Sequence, residues 1–311
     1  MRVVFHYAAG PALAARLGAL PGLRVTVCPE ADDSAFFAAM ADAEVLWHVL
    51  KPCTAAVIAA APKLRLIQKI GVGVNTIDLA AAKARDIAVC NLPGTNSRAV
   101  AEFSLLLMLA ALRRLPQFDA RLRGGVWAAS PAVQDRLGEL GGRTVGLVGY
   151  GAVPRLLAPM LEAMGSRVLY SARAPKPDAV GEYRSFNALL AESDVISLHV
   201  PLTPDTERMI DSAALARMRP GAVLINTARG GLVDQAALTA ALVDGRLGAA
   251  GLDVFSHEPI DPAEQLLRLP NVVVAPHVAW LTTGSFDRSL SIAAENCRRL
   301  GAGEALLHRV Q

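Results

Sequence analysis

The chain has 311 residues, of which 53% are hydrophobic and 19% charged, with a net charge of +3. That balance excludes a disordered chain, and with no Lys/Arg run it excludes a nucleic-acid partner. The length suits about two domains of ~150 residues each.

The N-terminal "RVVFHY" reads as a strand, and His6 and Tyr7 interrupt any signal-peptide core. Further strand-like runs follow at "RVTVC", "EVLWHVL", "LRLIQKI" and "IAVCN". Between them, "PALAARLGAL", "DSAFFAAMADA", "TAAVIAAA" and "TIDLAAAKAR" carry apolar residues at helical spacing. Several of these strands are apolar on both faces, as a parallel sheet covered by helices requires. Cys28, Cys53, Cys90 and Cys297 are scattered, without redox or zinc spacing. They read as buried thiols in a reducing compartment, with no metal and a cytoplasmic location.

"NLPGTNS" (91–97) has turn chemistry and precedes the longest apolar run, "AVAEFSLLLMLAAL" (99–112). That run is shorter than the ~20 residues a bilayer requires and contains Glu102, so it predicts a buried helix and no membrane association. A second series of strands begins near residue 143: "TVGLVG", "RVLYSA", "DVISLHV", "AVLINTA", "AAGLDVF" and "NVVVAPH". Helical stretches such as "DSAALARM" and "DQAALTAALVDG" intervene. Six such strands fit the doubly wound dinucleotide-binding fold. A last helix is expected over roughly 283–300.

"GLVGYGAVPRLLAP" (146–159) is the strand–glycine–helix junction of a dinucleotide site. Gly149 permits the tight turn and Gly151 lets the backbone approach a pyrophosphate, which would meet the amides of Ala152 and Val153. Pro154 replaces the third glycine but falls in the first helical turn, where proline is tolerated. Pro159 falls mid-helix, where proline costs about 3 kcal/mol or a kink, and nothing in the sequence accounts for it. At the end of the next strand an NAD site places an acid for the ribose 2′-hydroxyl. Here Ser171 stands in that position, Arg173 and Lys176 follow, and no carboxylate occurs before Asp178. An acid would repel a 2′-phosphate and a guanidinium would bind it, so NADP(H) is expected to be preferred, with NAD(H) possible.

Arg229, Glu258 and His277 fall at the ends of three predicted strands, in "NTARGGLVD", "GLDVFSHEP" and "VAPHVAW". In open α/β sheets ligands bind outside the carboxyl ends of strands. Those stretches, with "KIGVGVNTID" (69–78), "AVAE" (99–102), "VGYGAVP" and "SLHVPLTPDT" (197–206), resemble the D-isomer-specific 2-hydroxyacid dehydrogenase family over nearly the whole chain.

The resemblance implies two Rossmann-like or flavodoxin-like doubly wound α/β domains with the active site in the cleft between them. Residues 1–97 and 282–311 would bind substrate, and 98–281 the dinucleotide. It implies that Arg229 holds a 2-keto acid, that His277 passes a proton to the carbonyl oxygen, and that Glu258 pairs with His277. A neighbouring carboxylate would favour the charged imidazole. The amides of Val72 and Gly73 would cradle the substrate carboxylate, with Leu50, Lys51 and Trp280 shaping side-chain selectivity. Val200, Pro201, Thr206, Thr227 and Ala228 would line the cofactor, and Asp253 would orient the nicotinamide amide. His199 reads equally as a cofactor edge or a strand-end hydrogen bonder, and Trp127 equally as pocket or packing.

"YSAR" is similar to the family's NADPH-dependent glyoxylate and hydroxypyruvate reductases. Glu258 stands where the family's formate dehydrogenases have glutamine, which favours a reductase passing a proton to a small 2-keto acid. Homodimerisation through the cofactor domain is expected, with the 99–112 helix suited to the interface. The alternatives are an NADH-dependent dehydrogenase of a larger 2-hydroxy acid and a dinucleotide-sensing protein like the corepressors that share the fold. Extended tails would favour the corepressor, and the chain stops soon after its last helix.

Overall fold

The computed structural model describes residues 1–311 apart from residue 132. It divides into two units, Met1–Asn96 with Thr282–Gln311, and Ser97–Leu281. Both are parallel α/β sheets. No described helix is long and apolar enough to cross a membrane.

The first unit holds β1 (Arg2–His6), β2 (Arg24–Cys28), β3 (Val45–His48), β4 (Leu66–Lys69) and β5 (Ala88–Cys90). They lie in the order β2-β1-β3-β4-β5, the flavodoxin-like arrangement. Val4, Leu46, Ile67 and Val89 point to one buried layer with Phe36 and Met40. The C-terminal helix Thr283–Ala302 belongs to this unit. Its Asn296 amide donates to the buried Gln68 on β4 (2.7 Å), and Phe286 meets Phe5 edge-on.

The second unit holds β6 (Thr144–Val148), β7 (Arg167–Ser171), β8 (Glu182–Tyr183), β9 (Val195–Leu198), β10 (Ala222–Asn226), β11 (Leu247–Leu252) and β12 (Val272–Val274). Their order is β12-β11-β10-β9-β6-β7-β8. The first six by sequence follow the dinucleotide-binding order 3-2-1-4-5-6, and one further strand is appended. The six-strand expectation is corrected by β8, a two-residue edge strand with both residues exposed, which leaves no apolar signature.

Alternation explains why these strands read as continuously apolar. Val145, Leu147, Val168, Tyr170, Val223 and Ile225 enter one layer, together with Leu107, Met108 and Ala111 of helix Ser97–Arg113. Val148, Leu169, Ile196, Leu198 and Leu224 enter the other.

Helix Ala152–Ala163 runs through Pro159 without a break. Pro159 is exposed, so the Arg155 carbonyl that loses its amide partner lies on the solvent side, where water can replace it. That is the physical account the sequence lacked.

Candidate active site

In the second sheet the strand order reverses between β6 and β9, the switch point where open α/β sheets bind ligands. Gly149 leaves β6 with φ 95°, and a Cβ there would lie 2.7 Å from the His199 carbonyl oxygen at the end of β9. Only glycine fits both the backbone conformation and that approach. Gly151 is the N-cap of helix Ala152–Ala163, and no side chain caps it. The first amides, those of Ala152 and Val153, are thus left for an anion, and Pro154 is buried behind them. These residues fit a dinucleotide pyrophosphate.

Ser171 is buried at the tip of β7, while Arg173 and Lys176 are exposed on the loop beyond it. Neither cation forms an ion pair among the described residues. Asp178 instead grips Arg155 through both oxygens, at 2.6 and 3.2 Å.

Val200 and Pro201 follow β9, half-buried and exposed. Thr206 turns its hydroxyl onto the Pro201 carbonyl (2.7 Å) and so staples this loop. The Thr227 hydroxyl meets Ser104 of helix Ser97–Arg113 (2.9 Å), and Ala228 is half-buried next to it. His199 hydrogen-bonds Ser197 (2.9 Å), and burial lowers its pKa to about 3, so it is neutral at physiological pH. The strand-end reading of His199 describes its contacts.

Arg229 sits one turn past β10. Asn226 clamps this turn, accepting from the Ala228 amide (3.0 Å) and donating to the Arg229 carbonyl (2.9 Å). Burial lowers the Arg229 pKa, against the opposing charge of Glu258, and the guanidinium remains a cation.

Glu258 lies in the loop after β11. Its Oε1 accepts from the Phe255 amide (3.0 Å) and its Oε2 meets His277 Nδ1 at 2.6 Å. Burial alone would raise this carboxyl. The His277 contact, the Phe255 amide and Arg229 outweigh burial and hold it below its ordinary range.

His277 has φ 55°, a left-handed conformation that a histidine adopts only where the surroundings impose it. Asp253 imposes it. The Asp253 carbonyl accepts from the His277 amide (2.8 Å), and its two carboxylate oxygens accept from Val278 (2.8 Å) and Ala279 (2.9 Å). Asp253 is fully buried. The side chain anchors the histidine loop.

Trp280 is likewise buried, and its indole N–H donates to the His277 carbonyl (2.9 Å). Trp127 is 89% exposed and does not pack against its own chain.

The second unit therefore brings Arg229, Glu258, His277, Asp253 and Trp280 together. Leu50, Val72 and Gly73 belong to the first unit. There, Asn91 and Leu92 donate to the Val72 and Gly71 carbonyls (2.9 and 2.8 Å). The Val72 and Gly73 amides bond to no acceptor among the described residues. The Leu50 and Lys51 amides both donate to Glu30 Oε1 (3.1 and 2.6 Å). The motifs did not single out Glu30, Tyr150, Tyr170 or Arg155. A lone polar or aromatic residue carries no signal that its partner is a distant backbone amide or, for Arg155, a distant carboxylate.

Comparison with known proteins gives three kinds of likeness. The family description "D-isomer specific 2-hydroxyacid dehydrogenase, NAD binding domain" matches residues 105–279. Curated relatives include a D-3-phosphoglycerate dehydrogenase of Mycobacterium tuberculosis, 40% identical over 94% of this chain and 56% of that protein. They also include a glyoxylate reductase of Korarchaeum cryptofilum, 42% identical over 81% of this chain and 78% of that protein. The chain spans about half the length of the phosphoglycerate dehydrogenases it matches. A solved protein of Thermus thermophilus superposes with a TM-score of 0.89 at 37% identity, covering 100% of both chains.

Proposed function

The chain belongs to the D-isomer-specific 2-hydroxyacid dehydrogenase family, and from that premise we propose that it reduces a small 2-keto acid, of the glyoxylate or hydroxypyruvate type, with NADPH. The observation that carries this reading is the His277–Glu258 contact at 2.6 Å in the same unit as the half-buried Arg229.

Arg229 holds the substrate carboxylate and stabilises charge developing on the carbonyl oxygen. With Nδ1 committed to Glu258, the His277 ring presents Nε2 and donates its proton there to that oxygen. Glu258 stays ionised and stabilises the charged imidazole. The nicotinamide, when bound, supplies the hydride. In the reverse direction Nε2 takes the proton back from the hydroxyl.

Preference for NADPH is supported by buried Ser171 in the place of an acid, with Arg173 and Lys176 exposed beside it. The relatives named D-3-phosphoglycerate dehydrogenase favour a second reading, oxidation of a larger 2-hydroxy acid with NAD. We further propose a homodimer through the second unit. Leu106, Leu115, Leu122, Val126 and Trp127 are all exposed on one stretch of chain, and a second copy would cover them.

Initial rates of NADPH and NADH oxidation with glyoxylate and hydroxypyruvate, beside NAD reduction with 3-phosphoglycerate, test the proposal. A higher kcat/KM for NADPH with a small keto acid is expected. Turnover only with NAD and 3-phosphoglycerate would replace it with the second reading.

A further inference from the structure

The loop after β7, residues 172–180, carries both Arg173 and Lys176, and it is tied down in three places. The Tyr170 hydroxyl accepts from the Lys176 amide (2.8 Å) and donates to the Lys176 carbonyl (3.3 Å). The Tyr150 hydroxyl accepts from the Val180 amide (2.7 Å) and donates to the Val180 carbonyl (3.1 Å). Both phenol rings are buried, and their centroids are 4.5 Å apart. Tyr150 is itself the residue between Gly149 and Gly151. The third tie is the Arg155–Asp178 pair, with the Arg155 guanidinium 5.5 Å from the Tyr150 ring centroid. Asp178 is the one carboxylate between Ser171 and Val180, and its charge is directed into helix Ala152–Ala163.

We propose that the Tyr150 and Tyr170 hydroxyls and the Arg155–Asp178 pair are positioning residues for the 2′-phosphate of NADPH. The phenols set the loop so that Arg173 and Lys176 meet the phosphate, and Arg155 neutralises the carboxylate that would otherwise repel it. The inference rests on the NADPH reading above. A flexible cationic loop would bind a phosphate weakly, because ordering its backbone opposes binding. A loop already ordered by four hydrogen bonds to two buried rings has lost that freedom in advance. An uncompensated Asp178 on the same short loop would cancel part of the attraction of its two cations.

The test uses calorimetric binding of adenosine 2′,5′-bisphosphate and adenosine 5′-monophosphate to the full chain, so the readout does not depend on turnover. Wild type should prefer the bisphosphate, and absence of that preference would overturn the NADPH reading itself. Given the preference, Tyr170→Phe and Tyr150→Phe should each weaken bisphosphate binding about tenfold while changing monophosphate binding less than about twofold. Equal weakening of both ligands would reduce the phenols to a merely structural role and overturn their part of the proposal.

Arg155→Ala, a surface change that leaves the phenols in place, should also weaken the bisphosphate selectively. Arg155→Ala combined with Asp178→Ala should restore it. Failure of the double variant to recover would mean that Arg155 is not acting by neutralising Asp178, and would overturn that part.

Discussion

Gly230 directly follows Arg229, and replacing it with alanine tests whether the turn and the Glu258 loop work as one assembled piece. A Cβ at Gly230 would lie 1.9 Å from both the carbonyl carbon and oxygen of Phe255, and 2.5 Å from the Ser256 nitrogen. All of these are backbone atoms, so no side-chain rotation relieves the clash. Restoring ordinary contact at 3.4 Å requires turn and loop to part by about 1.5 Å. The loop carries Glu258, whose Oε1 accepts from the Phe255 amide, so Glu258 moves with it relative to Arg229. A misplacement of about 1 Å typically costs about 100-fold in rate, or ~2.7 kcal/mol of barrier. The same clash should destabilise the fold by ~1–3 kcal/mol. Gly230→Ala is therefore expected to fold with a lowered Tm and to lose about 100-fold or more in kcat/KM for keto-acid reduction. Steady-state kinetics on protein shown by circular dichroism to be folded would decide. Activity within about threefold of wild type would refute the idea that this backbone contact sets the Arg229–Glu258 geometry.

Glu258→Gln should lower kcat about 100-fold, because a neutral amide cannot hold a charged imidazole at Nδ1; stopped-flow hydride transfer would measure the loss directly. Trp127→Glu should shift the protein from dimer to monomer by light scattering, and an unchanged mass would exclude this stretch from an interface. His6 is buried against Phe36, with ring centroids 3.7 Å apart, and its Nε2 has no hydrogen-bond partner among the described residues. Burial first, then the Lys51 charge, lowers its pKa from 6.5 to about 4. In that window the unfolded chain takes up a proton that the folded chain refuses. The stabilisation is thus complete above pH 6.5 and falls by on the order of 3 kcal/mol as pH drops toward 4. His6→Gln should flatten urea-denaturation stability over that range relative to wild type, and parallel curves would contradict the assignment.

The two-sided apolar strands made the sheets legible, because a buried parallel strand must be apolar on both faces and few other elements are. β8 was not legible, since Glu182 and Tyr183 are both exposed and a two-residue edge strand is defined only by its pairing with Leu169 and Tyr170. Arg229, Glu258 and His277 could be read because each follows a recognisable strand. The contacts that brace the surrounding loops could not. Asp253 grips amides 25 and 26 residues away, and Tyr150 reaches Val180 across 30 residues. Hydrogen bonds to backbone leave no mark on the sequence of the accepting segment.

That anchoring has an evolutionary consequence. The arginine, the acid–base pair and the aspartate that fixes the histidine all hang from β10, β11 and the segment after β12, within one unit. Leu50, Val72 and Gly73 hang from a different sheet. On the function proposed, substitutions at Leu50, Val72 and Gly73 fall in a sheet that carries none of Arg229, Glu258 and His277, so they can accumulate without disturbing the strand ends that hold those three residues.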